Sequence, residues 1–143
     1  MKQIISVLLL TGGAWLGLFD PQSLRGQACQ DEEAMVVEYK KGIAELVETT
    51  RKESLANFEK TYRQKAGVTK LGLTASMVDG LLDCLDKASQ DTSTSKDQVE
   101  AYKAKRESYG KLKDKLKADQ KSLKAAEDSK AAKALVEKLD YSK

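Results

Sequence analysis

Tyr102, Tyr109, Leu116 and Leu123 stand seven residues apart, and Val99, Leu112, Ala126, Ala134 or Leu135, and Leu139 extend the same stripe at mostly three- and four-residue steps. Apolar residues on this period share one face of an α-helix, and that face leaves water only by packing against another helix. The stripe predicts a long final helix over about residues 96–139, coiled-coil-like in its heptad spacing. Ser95 and Gln98, at capping-box spacing, would start it. Tyr102, Tyr109, Leu112, Leu116 and Leu123 are read as a packing seam, not a cofactor box. Gly110 and the Asp128–Ser129 pair are its weak points.

Two further helices follow from the same period. Asp31, Glu32 and Glu33 stand where a helix dipole favours negative charge, and Val36, Tyr39, Ile43, Leu46, Val47, Leu55, Phe58 and Tyr62 recur behind them. They predict a helix over about residues 31–66, with Gly67 as its C-cap. Gly42, or a capping box formed by Thr50 and Glu53, could interrupt it. Residues 68–73 read as a connector, Thr74 as an N-cap, and residues 75–88 as a short helix that gathers Met77, Val78, Leu81, Leu82, Cys84 and Leu85 on one broad apolar face, expected to be the most buried. Residues 89–95, rich in Ser and Thr, read as a loop. The fold class is all-α, either a small helical bundle or a long helical hairpin with one short connecting helix.

The N-terminus carries Lys2, an apolar stretch from Ile4 to Phe19 and then a polar segment, the plan of a signal peptide over residues 1–28. Gly26 and Ala28 place small residues three and one positions before a cut after Ala28. Residues 29–143 would then be a single helical domain beginning at Cys29, periplasmic or secreted. A lipid anchor at Cys29 is a lesser variant, because Gly26 stands where a lipoprotein signal carries Leu, Val or Ile. Trp15 and Phe19 leave with the leader, and an aromatic-poor body suits helices better than a sheet.

Charge is divided along the domain. Residues 29–95 hold 9 basic and 12 acidic side chains, and residues 96–143 hold 14 and 9. Complementary segments favour association of the first with the last, within one chain or between two.

The two cysteines, Cys29 and Cys84, pose a geometric problem. An unbroken helix over residues 31–66 would be about 50 Å long, and Cys84 would sit only about 15 Å back along a simple hairpin. A disulfide needs its Cα atoms within about 7 Å. Three solutions stay open. The first helix breaks near Gly42 or Thr50 and folds back into a four-helix arrangement, the bond joins two chains, or Cys29 is lipidated or free and Cys84 is a buried thiol. The intramolecular bond is favoured, because a small exported domain gains about 2–4 kcal/mol from such a staple.

The sequence contains no histidine, which removes the commonest general base and metal ligand, and its two cysteines make no Cys-x-x-Cys site. Asp79, Asp83 and Asp86 lack the looped oxygen ligands of a calcium site and read as a solvated helix face. Neither Gly12–Gly13 nor the Gly67 and Gly72 pair opens a phosphate loop, and Ser122 beside Lys121 and Lys124 lies on a helical face without a cleft. The expectation is a noncatalytic exported protein with no catalytic, cofactor-binding or metal residues and no cofactor. It would act through a protein partner or self-association, with no nucleic acid and no membrane span in the mature chain. The alternatives are a periplasmic holding chaperone and, third, a small enzyme or ligand carrier built around a polar pocket. In general character, though in no motif, the cationic long-helix body is similar to the Skp-type periplasmic chaperones.

Overall fold

A computed structural model describes residues 28–143, so the expected leader lies, except for Ala28, outside the described residues. Those residues form five α-helices and no strand: α1 (Gln30–Lys52), α2 (Leu55–Lys60), α3 (Arg63–Gln90), α4 (Lys96–Ala125) and α5 (Ser129–Glu137). The architecture is the small all-α bundle that the periodicity predicts.

Helix α3 is central. Helix α4 packs antiparallel along one flank: Asp86, Asp79 and Gly72 descend α3 in steps of seven and meet Arg106, Lys113 and Gln120, which climb α4 in the same steps. Helix α1 packs antiparallel along the other flank, with Cys29 facing Cys84 and Gly42 facing Lys70. Helix α5 touches all four other helices. With the C-terminal tail it buries Ala132, Val136, Leu139 and Tyr141 against them.

The first break comes after Lys52, where Glu53 turns extended and Ser54 caps α2 by accepting a hydrogen bond from the Asn57 amide at 3.1 Å. The helix expected over residues 31–66 is therefore two helices. The break is near Thr50, but Thr50 itself is buried inside α1 and donates its hydroxyl to the Leu46 carbonyl at 2.7 Å. Glu53 organises the turn, accepting from Asn57 Nδ2 at 2.8 Å and Arg63 Nε at 3.0 Å. Gly42 stays within α1.

The connector expected over residues 68–73 is helical, and α3 begins at Arg63 rather than near residue 75. Thr74 is consequently no N-cap; it is buried mid-helix and donates to the Lys70 carbonyl at 2.7 Å. Gly67 is no C-cap either. A Cβ at Gly67 would lie 2.7 Å from Leu123, 3.5 Å from Leu46 and 3.7 Å from Val136, so this glycine is where α1, α4 and α5 converge on α3. Read from sequence alone, a glycine that admits a close neighbour is indistinguishable from one that ends a helix.

At the start of α4 the capping box forms as expected, with the Gln98 amide 3.2 Å from Ser95 Oγ and the Ser95 amide 3.3 Å from Gln98 Oε1. The final helix does not reach residue 139 unbroken. It ends at Ala125, and Asp128 restarts it as α5 by accepting from the Ala131 amide at 2.7 Å. Gly110, the other suspected weak point, lies inside α4.

Candidate interaction surface

The cysteines meet at the end of the bundle where α1 begins. Their Sγ atoms stand at disulfide distance, 2.08 Å, with Cα atoms 5.7 Å apart. The break after Lys52 solves the geometric problem: the position midway between 29 and 84 falls within α2, so helices of similar length run back from that apex and bring their far ends level. Glu32 lies with its carboxylate within 4.8 Å of both sulfurs. Sulfurs bonded to each other offer no thiolate to a metal ion.

One turn further on, Glu33 accepts from Lys105 Nζ at 3.0 Å and from the Tyr109 hydroxyl at 2.7 Å, tying α1 to α4. Burial alone would push the Glu33 carboxyl up; the Tyr109 hydroxyl and the Lys105 ammonium outweigh it and hold the group below its ordinary value. The same arrangement pushes the Tyr109 phenol up, first by burial and then through the bond to Glu33. Asp86 pairs with Arg106 and Asp79 with Lys113. With Glu33–Lys105, these bridges join an acid of the first segment to a base of the last, so the complementary segments meet within one chain. Two of the three aspartates expected on a solvated face are thus cross-helix partners, and Asp83 alone stays exposed and outside any ion pair among the described residues.

The expected seam is the inner face of α4. Tyr102, Leu116 and Leu123 are buried, and Tyr109 and Leu112 are partly buried against the core. The Tyr102 hydroxyl is buried without a hydrogen-bond partner among the described residues. Ala28 is half-buried against the core beside Cys29.

The opposite end differs. Between α2, the start of α3 and the junction of α4 with α5 lies a groove of about 540 Å³. Val68 and Tyr62, the latter 75% exposed, give it apolar surface, and Phe58 is buried at its floor. Tyr62 has φ 54°, ψ 42°, a left-handed backbone unusual for any residue but glycine, forced by the turn from α2 directly into α3. Lys65 and Lys124 border the groove with one carboxylate, Glu59, and Arg63, the third cation at its edge, is already paired with Glu53. Gln64 reaches across to the Leu123 and Ala126 carbonyls at 2.9 and 3.1 Å, fixing the far wall. Ser122, Lys121 and Lys124 are all exposed on α4, and only Lys124 borders the groove.

A second hollow, about 570 Å³, lies between α1 and the C-terminal tail, and charged side chains such as Glu48, Arg51, Glu137 and Asp140 make up half of its lining. The tail is held there by Tyr141, whose hydroxyl bonds Asp119 and whose ring lies 3.8 Å beneath the Lys115 ammonium. Sequence reasoning placed Tyr62 in a packing stripe and so missed the groove. Its signal was the crowding of Ser54, Thr61 and Gly67 around so short a run of apolar residues.

No helix among the described residues is long and apolar enough to cross a membrane. No protein-family model matches the chain, and no match is found among curated proteins or solved structures.

Proposed function

We propose that the chain is an exported, noncatalytic helical protein that acts through protein contacts, and that the apex groove receives its partner. The observation carrying this reading is Tyr62: a large aromatic side chain held three-quarters exposed, on a strained backbone, beside an apolar groove. Backbone strain and an exposed aromatic each oppose stability, and together they suit a contact residue. The excess of cations at the rim favours a partner segment that carries an aromatic or aliphatic side chain flanked by carboxylates. Export is supported by the leader plan and by a disulfide-distance cysteine pair, which suits an oxidising compartment. The noncatalytic reading rests on a sequence without histidine and on carboxylates such as Glu33, Glu53, Asp79 and Asp86 already engaged by cations.

Two measurements test it. The intact mass of the protein recovered from the producing cell should correspond to a chain starting at Cys29, less two hydrogen atoms for the disulfide; a mass retaining the leader removes the export reading. A photo-crosslinking residue at position 62, with position 103 on the outer face of α4 as control, should capture one discrete acidic protein from position 62 only. Equal capture at both positions, or none, removes the groove. A broad smear of unfolded clients from position 62 would move the reading to a holding chaperone.

A further inference from the structure

Among the described residues nothing covers the side of the α1–α3 pair that faces away from α4 and the tail. A shallow hollow of about 320 Å³ runs between the two helices there, with Glu38, Tyr39 and Gly42 on the α1 wall and Lys70, Leu73 and Thr74 on the α3 wall. Leu73 is 47% exposed, and Met35, one turn before Tyr39, is 46% exposed. Met77, one turn beyond Leu73, is half-buried on the same side. The register fixed by Gly42 opposite Lys70 sets Tyr39 level with Leu73 and Met35 level with Met77.

The charges on this face have a particular arrangement. Glu38 is on α1 and Lys70 on α3, about one helical turn apart in height, and both are exposed. Neither has an ion pair among the described residues, whereas Glu33, Asp79 and Asp86 on the covered sides of these helices all do.

We propose that this face is the interface of a homodimer, occupied by a second copy of the chain. A two-fold axis running along the helices sets α1 of each copy opposite α3 of the other, so that every helix neighbours an antiparallel one in a four-helix arrangement. The level pairs then meet across the axis: Met35 of one copy against Met77 of the other, and Tyr39 against Leu73. Lys70, whose ammonium lies over Gly42 of its own chain, stands one turn from the other copy's Glu38 and can extend to it across the axis. Symmetry makes this charge pair twice, and a face that carries its own complement suits a second copy better than an unrelated partner.

Sedimentation equilibrium of the disulfide-bonded protein tests the proposal, with circular dichroism to check that each variant is folded. Wild type should run at twice the chain mass at micromolar concentration. Glu38→Lys and Lys70→Glu should each weaken association at least tenfold, because each creates two like-charge contacts. Mixing those two variants in equal amounts should restore the dimer, since one copy then presents two lysines to two glutamates of the other. Leu73→Glu, at an exposed position, should give a folded monomer. A wild type that stays monomeric at the highest concentration overturns the proposal, as does an association constant indifferent to the charge reversals or a mixture that fails to recover.

Discussion

The two ends of this bundle are each organised by one carboxylate that accepts two donors, and the donors come from different distances along the chain. Glu33, beside the disulfide, holds Lys105 and Tyr109, 72 and 76 residues away; Glu53, at the apex, holds Asn57 and Arg63, 4 and 10 residues away. Ties between remote residues restrict the open chain heavily, whereas ties between near neighbours restrict it little. The apex must rely on Phe58, on the approach of Leu123 to Gly67 and on short capped helices, and it leaves a groove and an exposed tyrosine. Long-range constraint collects at the stapled end, and the most exposed of the large apolar side chains described, Tyr62, stands at the apex.

The sharpest way to break this contrast is to remove the staple. Replacing both cysteines by serine should cost about 4 kcal/mol for a loop closed across 55 residues, read as a lowered urea midpoint. Amide exchange should speed up most in the first turns of α1 and least around α2. Uniform loss of protection would show that the two ends are not separable.

Two glycine substitutions compare the ends directly. Gly67→Ala, near the apex, forces a Cβ to within 2.7 Å of the buried Leu123 side chain, and a net loss of about 1–2 kcal/mol is expected after the gain in helix propensity. Gly110→Ala, toward the stapled end, meets nothing within 4 Å and should gain about 0.5–1 kcal/mol. Thermal melts of both variants decide the matter; equal signs would mean that Leu123 shifts freely and that the apex is loosely packed.

Glu33→Gln should cost about 1 kcal/mol at neutral pH, since the bond from Tyr109 survives while the charge pair with Lys105 is lost. The folded carboxyl titrates below its ordinary value of 4.5, so the contribution of Glu33 is present above that pH and is lost as pH falls through the folded value. The two proteins should converge in stability once pH has fallen below that folded value. Tyr109 acts in the opposite sense: its phenol is raised above the ordinary value of 10.0, so its contribution is present below that pH and fades as pH rises toward the folded value. A stability difference between wild type and Glu33→Gln that persists into acid would place the contribution of Glu33 in packing rather than charge.

Much of the architecture was legible in the three- and four-residue apolar steps, because burial of a stripe dictates helix-on-helix packing whatever the loops do. The start of α4 was legible in Ser95 and Gln98, where a side chain and a backbone group satisfy each other locally. The apex was not. Leu55, Phe58 and Tyr62 keep helical spacing across a break, and Gly67 and Thr74 imitate caps while serving tertiary contacts invisible in a linear pattern. The cysteines held the missing information: two residues joined across an antiparallel helix pair place the turn near their midpoint. Applied in advance, that condition puts the apex in α2 and not in residues 68–73.

The smallest expected effect bears most directly on the groove. Tyr62 is three-quarters exposed, so few contacts are lost on replacing it, while its left-handed backbone costs about 1–2 kcal/mol for a residue with a bulky side chain. Asn tolerates that conformation through its short polar side chain. Tyr62→Asn should therefore stabilise the fold by about 0.5–1 kcal/mol while abolishing capture of a partner at the groove, monitored from a crosslinker at position 65. Stability and contact would then move in opposite directions, as they do where a residue is retained for what it touches outside the molecule. A destabilised Tyr62→Asn would instead assign the ring to the packing of the apex, and the two ends of the bundle would differ only in how far apart their tied residues lie in sequence.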